Sequence, residues 1–484
     1  MKKYSIIYII SLLTFASSCK KFVEIGAPAT SVSAENVFNN DINATSAVSY
    51  IYYDLMANNF SVAQSSNSIG ALSAIAADEL KTYTTGIYQL LIYRNQLLKD
   101  NTAVSNLWAS AYKNIYRANT VLEGVAASAG ISSATRNQLN GEAKFLRAFF
   151  YSYLVNLYGK VPLVLSSDYK QNATAARAAV ADVYRQIVAD LKEAQGLLTD
   201  GYLSGANTTT TSRIRPNKAA ATALLARVYL YLGDWANAEA QASTIINAGP
   251  TYILEPSLTN VFKTTSKEAI WQLQPAATVP YTLDGVFYIL TTTPTSGFFD
   301  RSNVLSTDLF NAFEAADNRK AAWVGSITVG ANTYYFPGKY KSTTTATSLT
   351  ENLMVLRLAE QFLIRAEARA MQGKLTGAGS AVEDVNAIRL RAGLGVTTLT
   401  APVDIMTAIE KERRIELFTE WGHRWFDLKR MKSFTNASLT RADEVMPAAA
   451  AAKGGAWAAY CALWPIPLTE MASDPNLDQN SGYN

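Results

Sequence analysis

Reactive side chains are scarce in this sequence of 484 residues, which contains one histidine, His423, and two cysteines, Cys19 and Cys461. A histidine-based nucleophile or a histidine-ligated zinc site would depend on His423 alone. This residue lies among aromatic residues at helical spacing, so we interpret it as structural. No P-loop and no G-x-S-x-G motif occurs, and no segment points to the paired carboxylates of a glycoside hydrolase. The sequence therefore predicts no catalytic residue, no metal site and no cofactor.

The position of Cys19 indicates covalent lipidation. Lys2 and Lys3 give the N-terminus a positive charge, residues 6–15 form an apolar stretch, and three small residues directly precede Cys19. This order is typical of a secretory signal peptide, and the apolar stretch is too short for a membrane-spanning helix. A cleavage site that ends at cysteine resembles a bacterial lipoprotein signal. We expect residues 1–18 to be removed and the Cys19 thiol to carry lipid; ordinary secretion, with Cys19 incidental, is the alternative.

The cysteine count, the net charge and the lengths of the apolar segments narrow the possible kinds of fold and partner further. If Cys19 is acylated, Cys461 has no intramolecular partner, so the exported chain would lack a disulfide framework and depend on its core. The formal net charge is +4 and no long Lys/Arg run occurs, which argues against nucleic acid as a partner. Beyond the signal, no segment reaches about 18 apolar residues, the length that a membrane-spanning helix needs.

Helical periodicity dominates the rest of the chain. The apolar spacing predicts helices over residues 108–123, 137–158, 183–198, 217–232, 235–246, 356–372 and 381–392. Several of them form pairs joined at glycine, which resembles tetratricopeptide repeats, although the inserts between pairs are too long for a regular solenoid. Residues 201–213 and 272–350 break the helical pattern, and a long loop region inside a compact domain is usually functional.

One more helix is predicted over residues 409–430, where aromatic and charged residues are mixed. We expect Arg413 to reach Glu416 and Arg424 to reach Asp427, because residues three apart share a helix face. Beside so many aromatic rings, these ion pairs should be partly buried. A ligand site is one interpretation; we favour a lattice of ion pairs that fixes how this helix docks.

Seven segments, in this order, resemble the SusD/RagB family, the lipoprotein partners of TonB-dependent transporters in Bacteroidota. They are CKKFVE from residue 19, GEAKFLRAFFYSYLVNLYGKVPLV at 141–164, NKAAATALLARVYLYLGDWANAEAQA at 217–242, LRLAEQFLIRAEARA at 356–370, VNAIRLRAGL at 385–394, ERRIELFTEWGHRWFDLKR at 412–430 and WPIPLTEMASDPNLDQNSGY at 464–483. The resemblance covers nearly the whole chain. In the last segment, Asp474 stands where Asn is commoner in the family.

The resemblance implies an all-α (α-rich) fold class, the SusD-like fold, in which four tetratricopeptide-like helix pairs pack with an irregular, loop-rich region. It implies one domain over residues 19–484, with an N-terminal part at 19–270 and a C-terminal part at 271–484. It further implies a lipid-anchored protein, exposed on the cell outer membrane, that binds oligosaccharide and delivers it to a SusC-like TonB-dependent transporter. Some family members serve peptides, so a peptide-binding lid on such a transporter is the alternative.

Candidate ligand residues lie in loops outside the scaffold motifs. Sugars stack their C–H faces on aromatic rings and need polar side chains at their hydroxyl edges. Residues 78–95 and 281–301 have this mixture, and the resemblance places ligand-holding loops in these two parts of the chain. The candidates are Asp78, Glu79, Tyr83, Tyr93, Asn95, Tyr281, Phe298 and Asp300, with Trp323 further on. Core packing by the tyrosines, and contact of Phe298 with the scaffold or the transporter, are the alternatives.

Two functions from other classes stay open at this point. A surface glycosidase would hydrolyse candidate glycans as a pure protein. A structural helical-repeat adaptor would bind its partner but neither glycan nor peptide.

Overall fold

The computed structural model of this protein describes residues 37–57, 62–276, 278–296 and 301–483. Cys19, the expected signal peptide and the candidates Phe298 and Asp300 lie outside the described residues. Within the described ranges the chain forms eighteen α-helices. They are α1 (Asp41–Ala57), α2 (Ile69–Ala76), α3 (Ile87–Tyr93), α4 (Thr102–Ala127), α5 (Ser133–Tyr158), α6 (Tyr169–Asn172), α7 (Val180–Leu197), α8 (Lys218–Leu232), α9 (Trp235–Ile246), α10 (Leu283–Tyr288), α11 (Thr307–Ala312), α12 (Asn318–Trp323), α13 (Leu358–Met371), α14 (Ala381–Arg391), α15 (Pro402–Glu416), α16 (His423–Arg430), α17 (Arg441–Ala452) and α18 (Leu468–Ser473).

Ten short strands accompany the helices in the same ranges, and they form five antiparallel pairs. The pairs are β1 (Leu80–Thr82) with β7 (Asn303–Leu305), β2 (Val161–Pro162) with β3 (Arg177–Ala178), β4 (Tyr202–Leu203) with β5 (Thr209–Thr210), β6 (Ala269–Leu273) with β10 (Leu353–Arg357), and β8 (Val324–Val329) with β9 (Asn332–Pro337). None of these pairs extends into a larger sheet, so helices carry the architecture.

A continuous array of long helices builds the scaffold. Helix α4 packs on α5, α5 on α7, α7 on α8, α8 on α9, and α9 on α13, which also contacts α14 and α15. Small residues let α8 approach its neighbours closely, and Ala220, Ala221 and Ala223 are fully buried. The α-rich fold class is therefore confirmed. No helix of the described ranges is both long and apolar enough to cross a membrane.

Capping residues set the helix starts. Helix α4 begins earlier than the predicted 108–123 because Asn101 Oδ1 accepts hydrogen bonds from the backbone of Ala103 and Val104, at 3.0 and 3.4 Å. Helix α5 likewise follows Ser132, whose hydroxyl oxygen accepts a bond from the backbone at the start of that helix. Both caps lie outside the apolar pattern, so periodicity alone places these starts too late.

The predicted irregular region at residues 272–350 does contain only short elements. In its described part, α10, α11, α12, β8 and β9 are each six residues long. Strand β7 leaves this region to pair with β1, which comes from the N-terminal quarter of the chain. The region is therefore fastened to a distant part of the sequence.

The prediction of a single helix over residues 409–430 is wrong, because two helices, α15 and α16, occupy this stretch. Thr419, Trp421 and Gly422 separate α15 from α16 with φ angles of 58°, 47° and 75°. These angles lie in the left-handed region, which a right-handed helix cannot contain. The aromatic stripe that suggested one helix is buried all the same, but two helices and the turn between them supply it.

The ion pairs predicted within that helix form with other partners. Arg413 donates to Asp427 at 2.7 Å, not to Glu416, and Arg424 donates to Asp78 at 2.7 Å. Helical spacing predicts which side chains share a face, but partners from other elements lie nearer here. All four residues of the predicted pairs are buried, as expected.

Glu416 lies at the centre of a buried ion-pair lattice. Its carboxylate accepts hydrogen bonds from Arg357 at 2.6 Å, from Arg319 at 3.1 Å and from Arg391. Burial alone would raise the pKa of Glu416, but the three guanidinium charges outweigh it and hold the pKa well below its usual value. Because the arginines come from β10, α12 and α14, the lattice joins the loop-rich region to the helical array.

Candidate functional site

The structure brings the two candidate segments together. Strand β1 of the first segment pairs with β7, which directly follows the second. The backbone N–H of Tyr83 donates to Ser302 O at 2.7 Å, and that of Thr85 donates to Ser296 O at 3.2 Å. We call the surface formed by residues 81–86, 289–296 and the β8–β9 hairpin the loop face.

Tyr83 is part of a ring pair on the loop face. Its ring meets the ring of Tyr334 edge to face, with centroids 6.0 Å apart at 83°. The Nζ of Lys81, an exposed side chain, lies 5.0 Å from the Tyr83 centroid. Both tyrosines are half-buried, so each ring is held by neighbours while part of it remains available. A ring, a phenol hydroxyl and an ammonium group are the elements that can stack on and hydrogen-bond a sugar.

The other side of β9 carries a second ring pair. Tyr335 stacks on Phe310 of α11, with centroids 3.9 Å apart, and Lys320 Nζ lies 3.8 Å from the Phe310 centroid. Successive strand residues point to opposite faces, so Tyr335 turns away from the Tyr83 side. Phe310 and Lys320 were not predicted as candidates. Their short helices offer no periodic signal from which sequence reasoning could have found them.

Asp78 serves the interior of the fold. Only 6% of the residue is exposed, and its two carboxylate oxygens accept hydrogen bonds from Arg424 at 2.7 and 2.8 Å. Arg414 Nη2 lies 3.0 Å from the same carboxylate. Burial would raise the pKa of Asp78, but the two arginine charges hold it well below its usual value. The side chain is thus fully engaged by protein partners.

Glu79, the next residue, is also buried, but its pKa shifts in the opposite direction from that of Asp78. Its carboxylate accepts one backbone hydrogen bond, from Thr419 N at 3.4 Å. Burial, together with the negative charge of Asp78, raises the pKa of Glu79 to about 8. The carboxyl group is therefore mostly protonated at neutral pH, and the interior side of the loop face carries one negative charge fewer than the sequence suggests.

Tyr93 and Asn95 lie at the end of α3. Asn95 is buried and donates from Nδ2 to Ala76 O at 3.0 Å, which ties this turn to α2. Its φ of 56° lies in the left-handed region that asparagine tolerates better than most residues. Tyr93 is half-buried, with Lys453 Nζ 5.1 Å from its ring centroid. Asn95 thus braces the turn, and Tyr93 retains some exposure.

Trp323 is fully enclosed, whereas Tyr281 is half-buried. The Trp323 indole N–H donates to Leu258 O at 3.0 Å, and Lys339 Nζ lies 5.0 Å from a ring centroid of the indole. A ligand could reach this indole only if the core opened. Tyr83, Tyr93 and Tyr281 are therefore the described candidates with accessible side chains. Asp78, Glu79, Asn95 and Trp323 are buried.

His423 lies inside the protein, where α16 begins. Burial and the nearby arginine charges lower its pKa well below the usual value, so the imidazole is neutral. Its Nε2 is 4.0 Å from Glu360 Oε1, beyond hydrogen-bond distance. This enclosed position agrees with the structural interpretation of His423.

Two family models match this chain, one in each half of the sequence. One, described as starch-binding associating with outer membrane, matches residues 31–230, and the other, described as SusD family, matches residues 306–483. The chain belongs to the SusD family. The family membership that the motifs implied is thus confirmed. The SusD family is, broadly, a family of glycan-binding proteins.

Relatives align with long stretches of this SusD-family chain. SusD-like protein P2 of Formosa agariphila is 27% identical, in an alignment that covers 100% of each chain. The starch-binding protein SusD of Bacteroides thetaiotaomicron is 25% identical over 73% of this chain and 74% of its own length.

Solved SusD structures share the fold. A SusD superfamily protein of Parabacteroides distasonis superposes with a TM-score of 0.76, at 19% identity, over 94% of this chain and all of the other. A laminarin-binding SusD-like protein gives a TM-score of 0.74 at 25% identity, over 92% of this chain and all of the other. The SusD-like fold is therefore confirmed.

Proposed function

We propose that this SusD-family chain is a lipoprotein of the outer-membrane surface that binds oligosaccharide without catalysis and delivers it to a SusC-like TonB-dependent transporter. The observation that carries the proposal is the Tyr83–Tyr334 ring pair beside Lys81, at the place where the two candidate segments meet. The ligand class is supported by two similar proteins, one a starch-binding and one a laminarin-binding protein.

The proposed site divides into contact residues and supporting residues. The ring pair Tyr83–Tyr334 would contact the sugar, with Tyr93 and Tyr281 as further contacts. Phe298 and Asp300 would add a ring and a carboxylate from the second candidate segment, residues 281–301. The supporting residues would hold these loops in place from below, because their side chains are buried; they are Asp78, Glu79, Asn95 and Trp323.

The test is calorimetric titration of a soluble form of the protein, residues 20–484, which lacks the lipidated Cys19, with glycans first selected on an array. Replacing Tyr83 and Tyr334 together with alanine should weaken binding of a proven glycan roughly tenfold, which is about 1.4 kcal/mol. The melting temperature should change little, since half-buried rings at the surface contribute less to the core. The matched control is Tyr169→Ala, because Tyr169 is 73% exposed on α6, outside the loop face. Unchanged affinity in the double variant, and in a triple variant at Tyr83, Tyr281 and Phe298, would place the site elsewhere.

The same titrations separate the other functions. Binding of peptides but no glycan would favour a peptide-binding lid. Release of shorter sugars by the pure protein would favour a glycosidase, and partner binding without any ligand would favour an adaptor. Co-purification of a TonB-dependent barrel with the lipidated protein is the direct test of the transporter partnership.

A further inference from the structure

Most arginines of the described chain are paired with carboxylates. In such pairs an arginine nitrogen lies within 4.0 Å of a carboxylate oxygen, as in Arg147 with Asp190 and Arg227 with Glu360. Within the described residues the exceptions are Arg94, Arg136, Arg213 and Arg301. A guanidinium without a carboxylate partner keeps its charge for a ligand from outside the protein, so the surroundings of these exceptions matter.

Two of these arginines have neutral partners that account for them. The guanidinium of Arg136 donates to backbone carbonyl oxygens at and just after the end of α4. That of Arg213 donates to carbonyl oxygens at and before the start of β6. Both therefore satisfy backbone groups and have a structural role. Arg94 and Arg301 remain, and they lie in the two candidate segments of the glycan site.

Arg301 adjoins the loop face. Its Nη1 donates to Thr291 Oγ1 at 2.5 Å and its Nε donates to Val286 O at 3.4 Å. Ser302, the next residue, accepts the backbone N–H of Tyr83, so Arg301 lies beside the strand pair that carries this ring. Its Nη2 has no hydrogen-bond partner among the described residues, and the side chain is half-buried. Neutral oxygens thus hold the guanidinium in place and leave its charge uncancelled.

Arg94 and Lys81 lie beside the two tyrosines of the first candidate segment. Burial raises the pKa of the Tyr93 hydroxyl, Tyr83 raises it further, and the Arg94 guanidinium opposes the rise. Because electrostatic effects weaken with distance, both groups lie close to the Tyr93 hydroxyl. The Arg94 side chain, which is half-buried, makes no hydrogen bond to the described residues. The exposed Nζ of Lys81, next to the Tyr83 ring, likewise has no carboxylate within 4.0 Å among them.

The carboxyl groups closest in sequence to these cations, within the described residues, do not cancel their charge. Asp78 is already bound by two interior arginines, and Glu79 is mostly protonated at neutral pH. Burial raises the pKa of Asp284, in α10, to about 7. Asp308 is exposed at the start of α11, but its carboxylate lies more than 4.0 Å from each of the three cations. The surface around the proposed glycan site therefore carries positive charge without a counter-charge from these groups.

We propose that the loop face selects glycans that carry negative charge, as carboxylate or sulfate groups. Lys81, Arg94 and Arg301 would bind these groups, while the neighbouring tyrosine rings stack on the sugar. Guanidinium and ammonium groups form their strongest hydrogen bonds with anionic oxygens, and a neutral glycan would leave three cations beside it without a partner. The inference rests on the proposed function and narrows its ligand class from oligosaccharides in general to acidic ones.

The first test is an array of paired glycans, applied to the soluble form of the protein, residues 20–484. Each uronate is printed beside its methyl ester and each sulfated sugar beside its desulfated form, with starch and laminarin oligosaccharides as neutral references. We expect the strongest binding to an acidic glycan and roughly tenfold weaker binding to its neutralised form, and the responding pair distinguishes carboxylate from sulfate. Strongest binding to a neutral glycan, or equal binding of both members of a pair, would overturn the inference. Binding to no glycan would overturn the proposed function, and the inference with it.

The second test is calorimetric titration of charge variants with the acidic glycan that binds most tightly on the array and with its neutralised form. Lys81→Gln, Arg94→Gln and Arg301→Gln should each weaken binding of the acidic form roughly tenfold and leave binding of the neutralised form nearly unchanged. The matched control is Lys192→Gln, which removes an exposed cation on α7 and should change neither. Lys81 is exposed, so Lys81→Gln keeps the test independent of folding.

The ring variant separates the charge preference from the site itself. Replacing Tyr83 and Tyr334 together with alanine should weaken binding of both forms alike, because a ring stacks on the sugar whatever its charge. Unchanged binding of the acidic form in both Lys81→Gln and Arg301→Gln would overturn the inference. So would an equal loss of both forms in these two variants.

Discussion

Asp78 and Glu79 are adjacent in sequence and both buried, yet at neutral pH Asp78 is ionised and Glu79 is mostly protonated. Two arginines keep Asp78 ionised, whereas Glu79 has no cation in hydrogen-bond contact within the described residues. The free energy of unfolding must therefore depend on pH through Glu79. A carboxyl group whose pKa is raised on folding contributes stability that is complete below its unfolded pKa and is lost as pH rises to the folded value.

Glu79→Gln should remove that dependence. The pKa of Glu79 rises from an ordinary 4.5 to about 8 in the fold, so the wild type should lose stability between these two pH values. The variant should match the wild type near pH 4.5 and exceed it by about 1–3 kcal/mol at pH 8. Chemical denaturation at several pH values measures this. Glu193→Gln, at an exposed side chain, is the control and should show no such trend; a flat difference between Glu79→Gln and the wild type would contradict the prediction.

Loss of the Arg424 guanidinium should destabilise the protein strongly. Its guanidinium bonds both Asp78 and Glu410 at 2.7 Å, so Arg424→Ala leaves two buried carboxylates short of a partner. We expect a loss of about 3–5 kcal/mol in the free energy of unfolding. Arg185→Ala removes an exposed pair with Asp182 and should cost less than about 1 kcal/mol. Thermal melts compare the two. Preserved stability with lost glycan binding in Arg424→Ala would instead assign this residue to the ligand site.

At the scale of elements, the turn between α15 and α16 is what gives the charged residues their partners. Gly422 has a φ of 75°, and an added Cβ would lie 2.8 Å from Ser73 Oγ and 3.0 Å from the Phe426 ring. The turn therefore needs glycine for its backbone and for the close approach of α2.

Gly422→Ala should destabilise the protein more than Gly373→Ala does. Both glycines have a positive φ, which costs a residue with a Cβ about 1–2 kcal/mol, but nothing lies within 4 Å of a Cβ at Gly373. The difference between the two melting temperatures isolates the contact with Ser73 and Phe426. Equal melting temperatures would show that α2 can move away without cost.

Sequence patterns predicted α8 and α9 to within one residue, because both helices carry their own periodicity and caps, whereas the starts of α4 and α5 were placed too late. The turn at Trp421 was missed because two of its three left-handed residues are not glycine, and the aromatic spacing through it imitates a helix. The burial of Asp78 could not be predicted, since its partner Arg424 lies 346 positions away along the chain. The loop face could not be predicted for the same reason. Both candidate segments were recognised in the sequence, but their contact depends on the non-local pairing of β1 with β7.

At the scale of the whole molecule, Cys19 decides where the protein is held. Cys19→Ala should release the protein from washed membranes into the aqueous fraction, because the several acyl chains of a bacterial lipoprotein give stable attachment and their loss removes it. Immunoblots of both fractions measure the change. Cys461→Ala is the matched control, since Cys461 is a buried free cysteine that should have no part in anchoring. A Cys19→Ala protein that stays in the membrane fraction would rule out the lipid anchor.

The burial of the lattice around Glu416 determines how the protein responds to ionic strength. Mobile ions weaken the attraction between exposed charges over a Debye length of about 8 Å at physiological ionic strength, and over about 3 Å in 1 M salt. Glu416 and its partners Arg319 and Arg357 have side chains that are at most 2% exposed, so dissolved counter-ions cannot come between them. The joint between the loop-rich region and the helical array should therefore keep its strength from dilute to saline surroundings, while pairs such as Arg185 with Asp182 fade.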